Sequence, residues 1–287
     1  MGRGVLKKEC IQMKKIKTLG FILVFALLFI SGSRLTFASA KIDVSKASDG
    51  LVRYEYTGDL KAKEIFAMLE LPGVDKVTPQ MFVSPSVLIL SMGNGTYVCK
   101  VLEKLPNGKG MSVAPGGEAT DAVLSKAPDE KTVFLASTID ADFAASTVCI
   151  PNYKKLTEGM TDAQKIEAIY EEVVNNYTYD YDKKDAVLKK TLKNYLPVID
   201  VIYNVKKGIC YDYSAVLAGA LRSQGIPVKL VKGVAADVGD AKHAWNEIWT
   251  GEKWVVVDTT FDAAYAEAGA AYTFEKDRSK YKAQSYH

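Results

Sequence analysis

Hydrophobic and polar positions change rhythm along the chain near residue 160. Across residues 41–152 the text alternates with a period of two or runs apolar for short stretches between turn residues. Residues 51–56, 87–92, 96–102 and 131–138 read as strands, with a turn at Gly93-Asn94-Gly95 and a long loop over 106–117. A small sandwich-like or sheet domain is expected there. Beyond it, Thr161 and Gln164 form a capping-box pattern, followed by Ile166, Ile169, Tyr170, Val173 and Val174. That is the i, i+3, i+4, i+7, i+8 stripe of an amphipathic helix.

A second helix is expected over 186–195, stopping before Pro197. Residues 198–205 fit either a short helix or a strand. The third helix is the best defined: Tyr213, Val216, Leu217, Ala220 and Leu221 make one stripe, and Gly225-Ile226-Pro227 ends it. Strands follow at 228–234, 244–249 and 254–258. The segment from Thr273, with Lys276, Arg278, Lys280 and Lys282, reads as a final helix or a solvated tail. Helices followed by antiparallel strands predict an α+β domain.

Composition adds little until it is placed along the chain. The 287 residues are 48% apolar and 25% charged, which is ordinary globular usage and excludes a disordered chain, a collagen-like fibre and a disulfide-stapled miniature. The formal charge is +3, but seven cations and only one acid lie in residues 1–40. Lys14, Lys15 and Lys17 precede 16 uncharged residues, 18–33, and Ala38-Ser39-Ala40 offers small residues for a signal peptidase. A basic start, a short apolar run and an A-x-A site describe a secretory signal peptide of bacterial type over 1–40. Met13 offers an alternative start. The rival reading, an uncleaved anchor, needs a longer span. Without residues 1–40 the chain holds 30 Lys and Arg against 33 Asp and Glu, a charge of −3. Nucleic acid is thereby excluded as an expected partner, and a membrane is expected only through an uncleaved N-terminal segment. The expected location is secreted or at the cell surface, after cleavage near Ala40.

Three cysteines remain after such cleavage: Cys99, Cys149 and Cys210. The first two lie in β-like text and are either paired or buried singly. No C-x-x-C, H-E-x-x-H, acidic calcium loop or phosphate-binding glycine loop occurs, so no metal or cofactor is expected.

Cys210 differs because it opens the third helix. A thiol there meets the positive end of the helix dipole, which favours thiolate, and Gly208 is expected to keep the approach to sulfur open. His243, the only histidine besides terminal His287, opens the strand His243-Ala244-Trp245-Asn246-Glu247-Ile248-Trp249. A two-residue turn at Thr250-Gly251 would set His243 opposite Asp258. A four-residue loop, 250–253, would set it opposite Thr260 with Asp258 diagonal on the same face. Either even-loop register brings an acid beside the histidine, whereas an odd loop without a bulge would put them on opposite faces. A thiol needs an imidazole to take and return a proton, and the imidazole needs a carboxylate to fix its tautomer. Cys210, His243 and Asp258 are therefore the candidate catalytic residues.

The blocks Gly208-Ile209-Cys210-Tyr211-Asp212-Tyr213-Ser214-Ala215, Gly225-Ile226-Pro227 with Gly233, His243-Ala244-Trp245-Asn246-Glu247, and Trp254-Val255-Val256-Val257-Asp258-Thr259-Thr260-Phe261-Asp262 resemble the transglutaminase-like superfamily of papain-like cysteine enzymes. The resemblance covers about residues 161–272. It implies a papain-like transglutaminase core, helices packed on an antiparallel sheet, in a catalytic domain over 153–287. A β-rich N-terminal domain over 41–152 would precede it. It also implies a thioester-forming enzyme acting on a protein or peptide substrate, cell-wall peptide included, with amine or water as acceptor. Tyr211, Asp212 and Trp245 are candidate substrate contacts. The alternative is a catalytically silent surface-binding module on the same fold.

Overall fold

The computed structural model describes residues 38–59, 64–74, 80–81, 84–124, 131–239 and 241–287. The expected leader lies outside the described residues up to position 37. Its small-residue end does not: Ala40 is buried and opens strand β1 (Ala40–Asp43), and Thr57 N–H donates to the Ser39 carbonyl at 3.0 Å. Residues 38–287 form one compact unit.

Its first part holds two antiparallel sheets. One is β1–β2–β5, with β2 (Leu51–Tyr56) and β5 (Ser86–Ile89). The other is β4–β3–β6–β7, with β3 (Ile65–Glu70), β4 (Gln80–Met81), β6 (Gly95–Lys104) and β7 (Met111–Leu124). Burial alternates along β2 and β3, as a period of two requires. Val52, Tyr54 and Tyr56 share a core with Ile65, Ala67, Leu69, Tyr97, Cys99 and Val101.

Three expectations fail in this part. The long loop over 106–117 is mostly strand β7, reached through a tight turn after Lys104. The strand expected at 131–138 is a short 3₁₀ turn at Thr132–Leu135. Cys149 lies in no strand; it opens helix α1 (Cys149–Leu156), whose first N–H groups donate to the Asp200 carboxylate. Those donors, with Ser146, hold Asp200 down to about 2 although burial opposes them. Cys99 and Cys149 are separate, buried, free thiols in different cores, not a disulfide. Burial pushes them up to about 11 and about 12, which makes both inert.

The second part is α+β. Helix α2 (Asp162–Asn176) starts at the capping box read from the sequence, with both Thr161 and Gln164 bonds formed, and buries the five stripe residues. Helix α3 (Tyr181–Leu188) comes earlier than expected because Asp180 caps it, accepting from Lys183 N–H at 3.0 Å. Residues 199–205 are helical, α4 (Ile199–Val205). Helix α5 (Cys210–Arg222) is central, buried on every face from Asp212 to Arg222. It packs on the antiparallel sheet β12–β11–β10–β13, formed by β10 (Val228–Ala235), β11 (Lys242–Trp249), β12 (Trp254–Val257) and β13 (Tyr281–Tyr286). The closing segment is thus a strand, not a helix or tail: it finds the free edge of β10, which no local pattern announces. Arg222 ends α5 buried, donating to the Val228 and Ala136 carbonyls at 2.8 and 3.1 Å; burial lowers it to about 10.

Candidate active site

Two short elements aim the nucleophile. Strands β8 (Thr178–Tyr179) and β9 (Lys207–Gly208) pair in parallel, with Tyr179 opposite Gly208, and Asp180 N–H donates to the Gly208 carbonyl at 2.8 Å. The chain then turns at Ile209 into α5, so Cys210 takes the first helical position, partly exposed. Its backbone N–H has no carbonyl partner inside the helix and points along the dipole.

Asp212, two residues on, is fully buried and accepts from Ile209 N–H at 2.8 Å. The same carboxylate receives Lys183 Nζ at 2.8 Å and the Tyr195 hydroxyl. Gly208 makes room for it: a Cβ there would lie 2.5 Å from Asp212 Cβ. Gly208 therefore gives the Asp212 carboxylate its room at the turn. Gly208→Ala is expected to displace the Asp212 carboxylate and cost about 1–3 kcal/mol, the range for overpacking. A melting curve measures it, and a wild-type midpoint would contradict the assignment.

His243 comes from β11. The β11–β12 ladder pairs Trp249 with Trp254 and Asn246 with Val257, which is the four-residue-loop register. The ladder ends there, because Asp258 leaves the sheet to cap helix α6 (Thr259–Glu267), accepting from Phe261 N–H at 3.2 Å. The cap swings the carboxylate beside the histidine. His243 Nε2 lies 2.7 Å from Asp258 Oδ2, with both side chains buried. Nε2 being committed to Asp258, Nδ1 is left for the thiol. Burial by itself would lower His243, yet the Asp258 hydrogen bond and charge, then those of Cys210, raise it from 6.5 to about 10. The Phe261 ring lies parallel to the imidazole, 4.6 Å between centroids and 8° apart, and holds its plane.

The sequence-derived candidates separate cleanly in space. Cys210, His243 and Asp258 come together. The three substrate-contact candidates turn inward instead. Tyr211 donates its hydroxyl to buried Asp140, which Lys232 Nζ also reaches at 2.7 Å. Asp212 is occupied as described, and Trp245 is 1% exposed, packed on Val231 and Val256. Tyr211 and Asp212 each satisfy a buried partner, whereas the buried Trp245 Nε1 has no hydrogen-bond partner among the described residues. Phe261 and Tyr281 were missed: Tyr281 donates to Asp258 Oδ2 at 3.0 Å. Phe261 at the third position after a capping aspartate was a local clue; Tyr281 had none.

Residues 153–259 match the sequence profile of the transglutaminase-like superfamily. The chain carries a transglutaminase-like domain. Cys210, His243 and Asp258 all lie within that match. A protein-glutamine gamma-glutamyltransferase of Pseudomonas aeruginosa is 32% identical over 79 residues, covering 23% of this chain; the chain spans 12% of that relative's length. Among solved structures, a putative cysteine protease from Cytophaga hutchinsonii is similar at 15% identity, over 78% of this chain and 84% of that one, with a TM-score of 0.38. Red sea bream transglutaminase is similar at 12% identity, over 78% and 53%, with a TM-score of 0.30. The transglutaminase-like domain thus takes in α2 to α5 and sheet strands β10 to β12, while β13 lies beyond it. Among the described residues no cluster of three or more His, Cys, Asp or Glu is placed to hold a metal ion, and no helix is long and apolar enough to cross a membrane.

Proposed function

We propose that the chain is an exported cysteine enzyme that breaks amide bonds of proteins or peptides through a thioester on Cys210, with His243 as acid and base and Asp258 as its orienting partner. The observation that carries this reading is the buried His243–Asp258 pair at 2.7 Å, raised to about 10 by Asp258 and Cys210 together. A histidine so placed is protonated at neutral pH and sustains a thiolate beside it.

The Cys210 thiolate attacks the amide carbon, and the carbonyl electron pair moves onto oxygen, where the free N–H of the nucleophile stabilises it. Collapse of that adduct breaks the C–N bond, and the nitrogen leaves with the proton from His243. Neutral His243 then takes a proton from the acceptor as it attacks the thioester, and the thiolate departs. An amine acceptor gives a cross-link; water gives deamidation or cleavage.

The test is incubation with a glutamine-rich protein and a labelled amine, read by intact mass. Amine incorporation, the small gain of deamidation, or shortened chains would each identify one acceptor. All three are expected to vanish in Cys210→Ala, and product persisting in that variant would refute the reading. Export is supported by the basic, apolar and small-residue order of residues 1–40; the mass of the secreted chain tests it.

A further inference from the structure

We infer that Tyr281, on the closing strand and outside the family match, is a positioning residue that fixes Asp258 for His243; the inference rests on the triad reading above. Asp258 Oδ2 receives two donors, His243 Nε2 at 2.7 Å and the Tyr281 hydroxyl at 3.0 Å, while Oδ1 takes Phe261 N–H at 3.2 Å. The donors come from β11, β13 and α6. Together they leave the carboxylate no freedom to rotate away from the imidazole.

Tyr281 reaches that oxygen because β13 is bulged. Lys232 of β10 pairs with Ser285 but Gly233 pairs with Ala283, so Gln284 is the extra residue. In a regular strand Tyr281 and Tyr286 would face opposite sides, being five residues apart. With the bulge both pack on the cluster of Val231, Trp245 and Val256. Gly233 permits the close approach. A Cβ there would lie 2.2 Å from the Lys282 carbonyl oxygen and 2.7 Å from the Trp245 ring. The tyrosine ring rests on Trp245 at 5.1 Å, which sets the direction of its hydroxyl.

The hydroxyl is a permanent donor, since burial and the facing Asp258 charge push its ionisation far up. It draws charge from the oxygen that binds the imidazolium, so it tempers His243 while holding its partner still. Other charges nearby are accounted for: Asp262 on α6 pairs with Lys276, Asp237 after β10 lies 3.8 Å from Lys280, and Cys210 hydrogen-bonds the imidazole.

The experiment is alkylation of Cys210 in the full chain by iodoacetamide across pH 4–11, read by mass, in wild type, Tyr281→Phe and Tyr286→Phe. Wild type should react at acidic pH and rise again near the His243 value of about 10. Tyr281→Phe keeps the ring and loses one donor; its upper transition should move up by about 0.5 unit. Tyr286→Phe, on the same strand and cluster, should leave it in place. An unmoved transition in Tyr281→Phe, an equal shift in Tyr286→Phe, or a Tyr281→Phe chain that does not fold would overturn the inference, the last two by revealing a general packing role. A wild type without acidic reactivity would overturn the triad reading and this inference with it.

Discussion

Replacing His243 with alanine is expected to lower amide turnover by about 10⁴-fold or more, the scale seen when one member of a catalytic triad is lost. The same change gives a second readout that needs no substrate. In the variant no imidazole stands beside the thiol to take its proton. Iodoacetamide should then label Cys210 far more slowly at pH 5.5 in the variant than in wild type. Wild type, with its imidazolium 2.7 Å from Asp258, should keep most of its reactivity there. Equal acidic labelling of both proteins would argue against a triad.

The same residue predicts how stability follows pH. His243 stands at about 10 against an ordinary 6.5, so its charged form is favoured by the fold. That contribution is complete below about pH 6.5 and is lost as pH rises through about 10. The chain should therefore lose stability over that window, and His243→Ala should flatten the loss.

The second large effect is expected at Asp212, which lies at the turn into α5. Its carboxylate is fully buried and gathers Ile209 N–H, Lys183 Nζ and the Tyr195 hydroxyl. Asp212→Ala strands a lysine ammonium that is only partly exposed, together with an uncapped N–H at the entry to α5. Breaking a buried pair from one side costs about 3–5 kcal/mol. Part of that loss should appear as disorder at Ile209 and Cys210, so turnover should fall even where the variant still folds. A denaturant midpoint within error of wild type would show that Asp212 is not the anchor of the turn. Asp212→Asn, which keeps one acceptor, should recover part of the stability.

Much of this was legible locally. Helices α2 and α5 announced themselves through five-residue stripes, and both bury those stripes as the 3.6-residue period demands. The thiol at the start of α5 and the single internal histidine on a strand were readable by position, and so was an acid within reach of that strand. Local patterns misled where the governing partner is distant. The stretch over 131–138 has strand composition but folds as the 3₁₀ turn Thr132–Leu135, with Thr138 bridged only to nearby Ala141 among the described residues. Helix α3 begins early on the strength of one capping aspartate. Residues 281–286 carry little apolar periodicity and become a strand only because β10 offers an open edge.

By itself the sequence determined the α+β order, the nucleophile's place at a helix start and the three residue types of the site, because these rest on periodicity and capping within a few neighbours. Only the tertiary structure decided how they meet. Asp258 reaches His243 by leaving its strand to cap α6, and Tyr281 by a single extra residue in the last strand. Tyr211, Asp212 and Trp245 turn inward because buried charges and faces elsewhere in the chain need partners. Those choices depend on long-range pairing and on satisfying buried polar groups, and neither leaves a mark in local sequence.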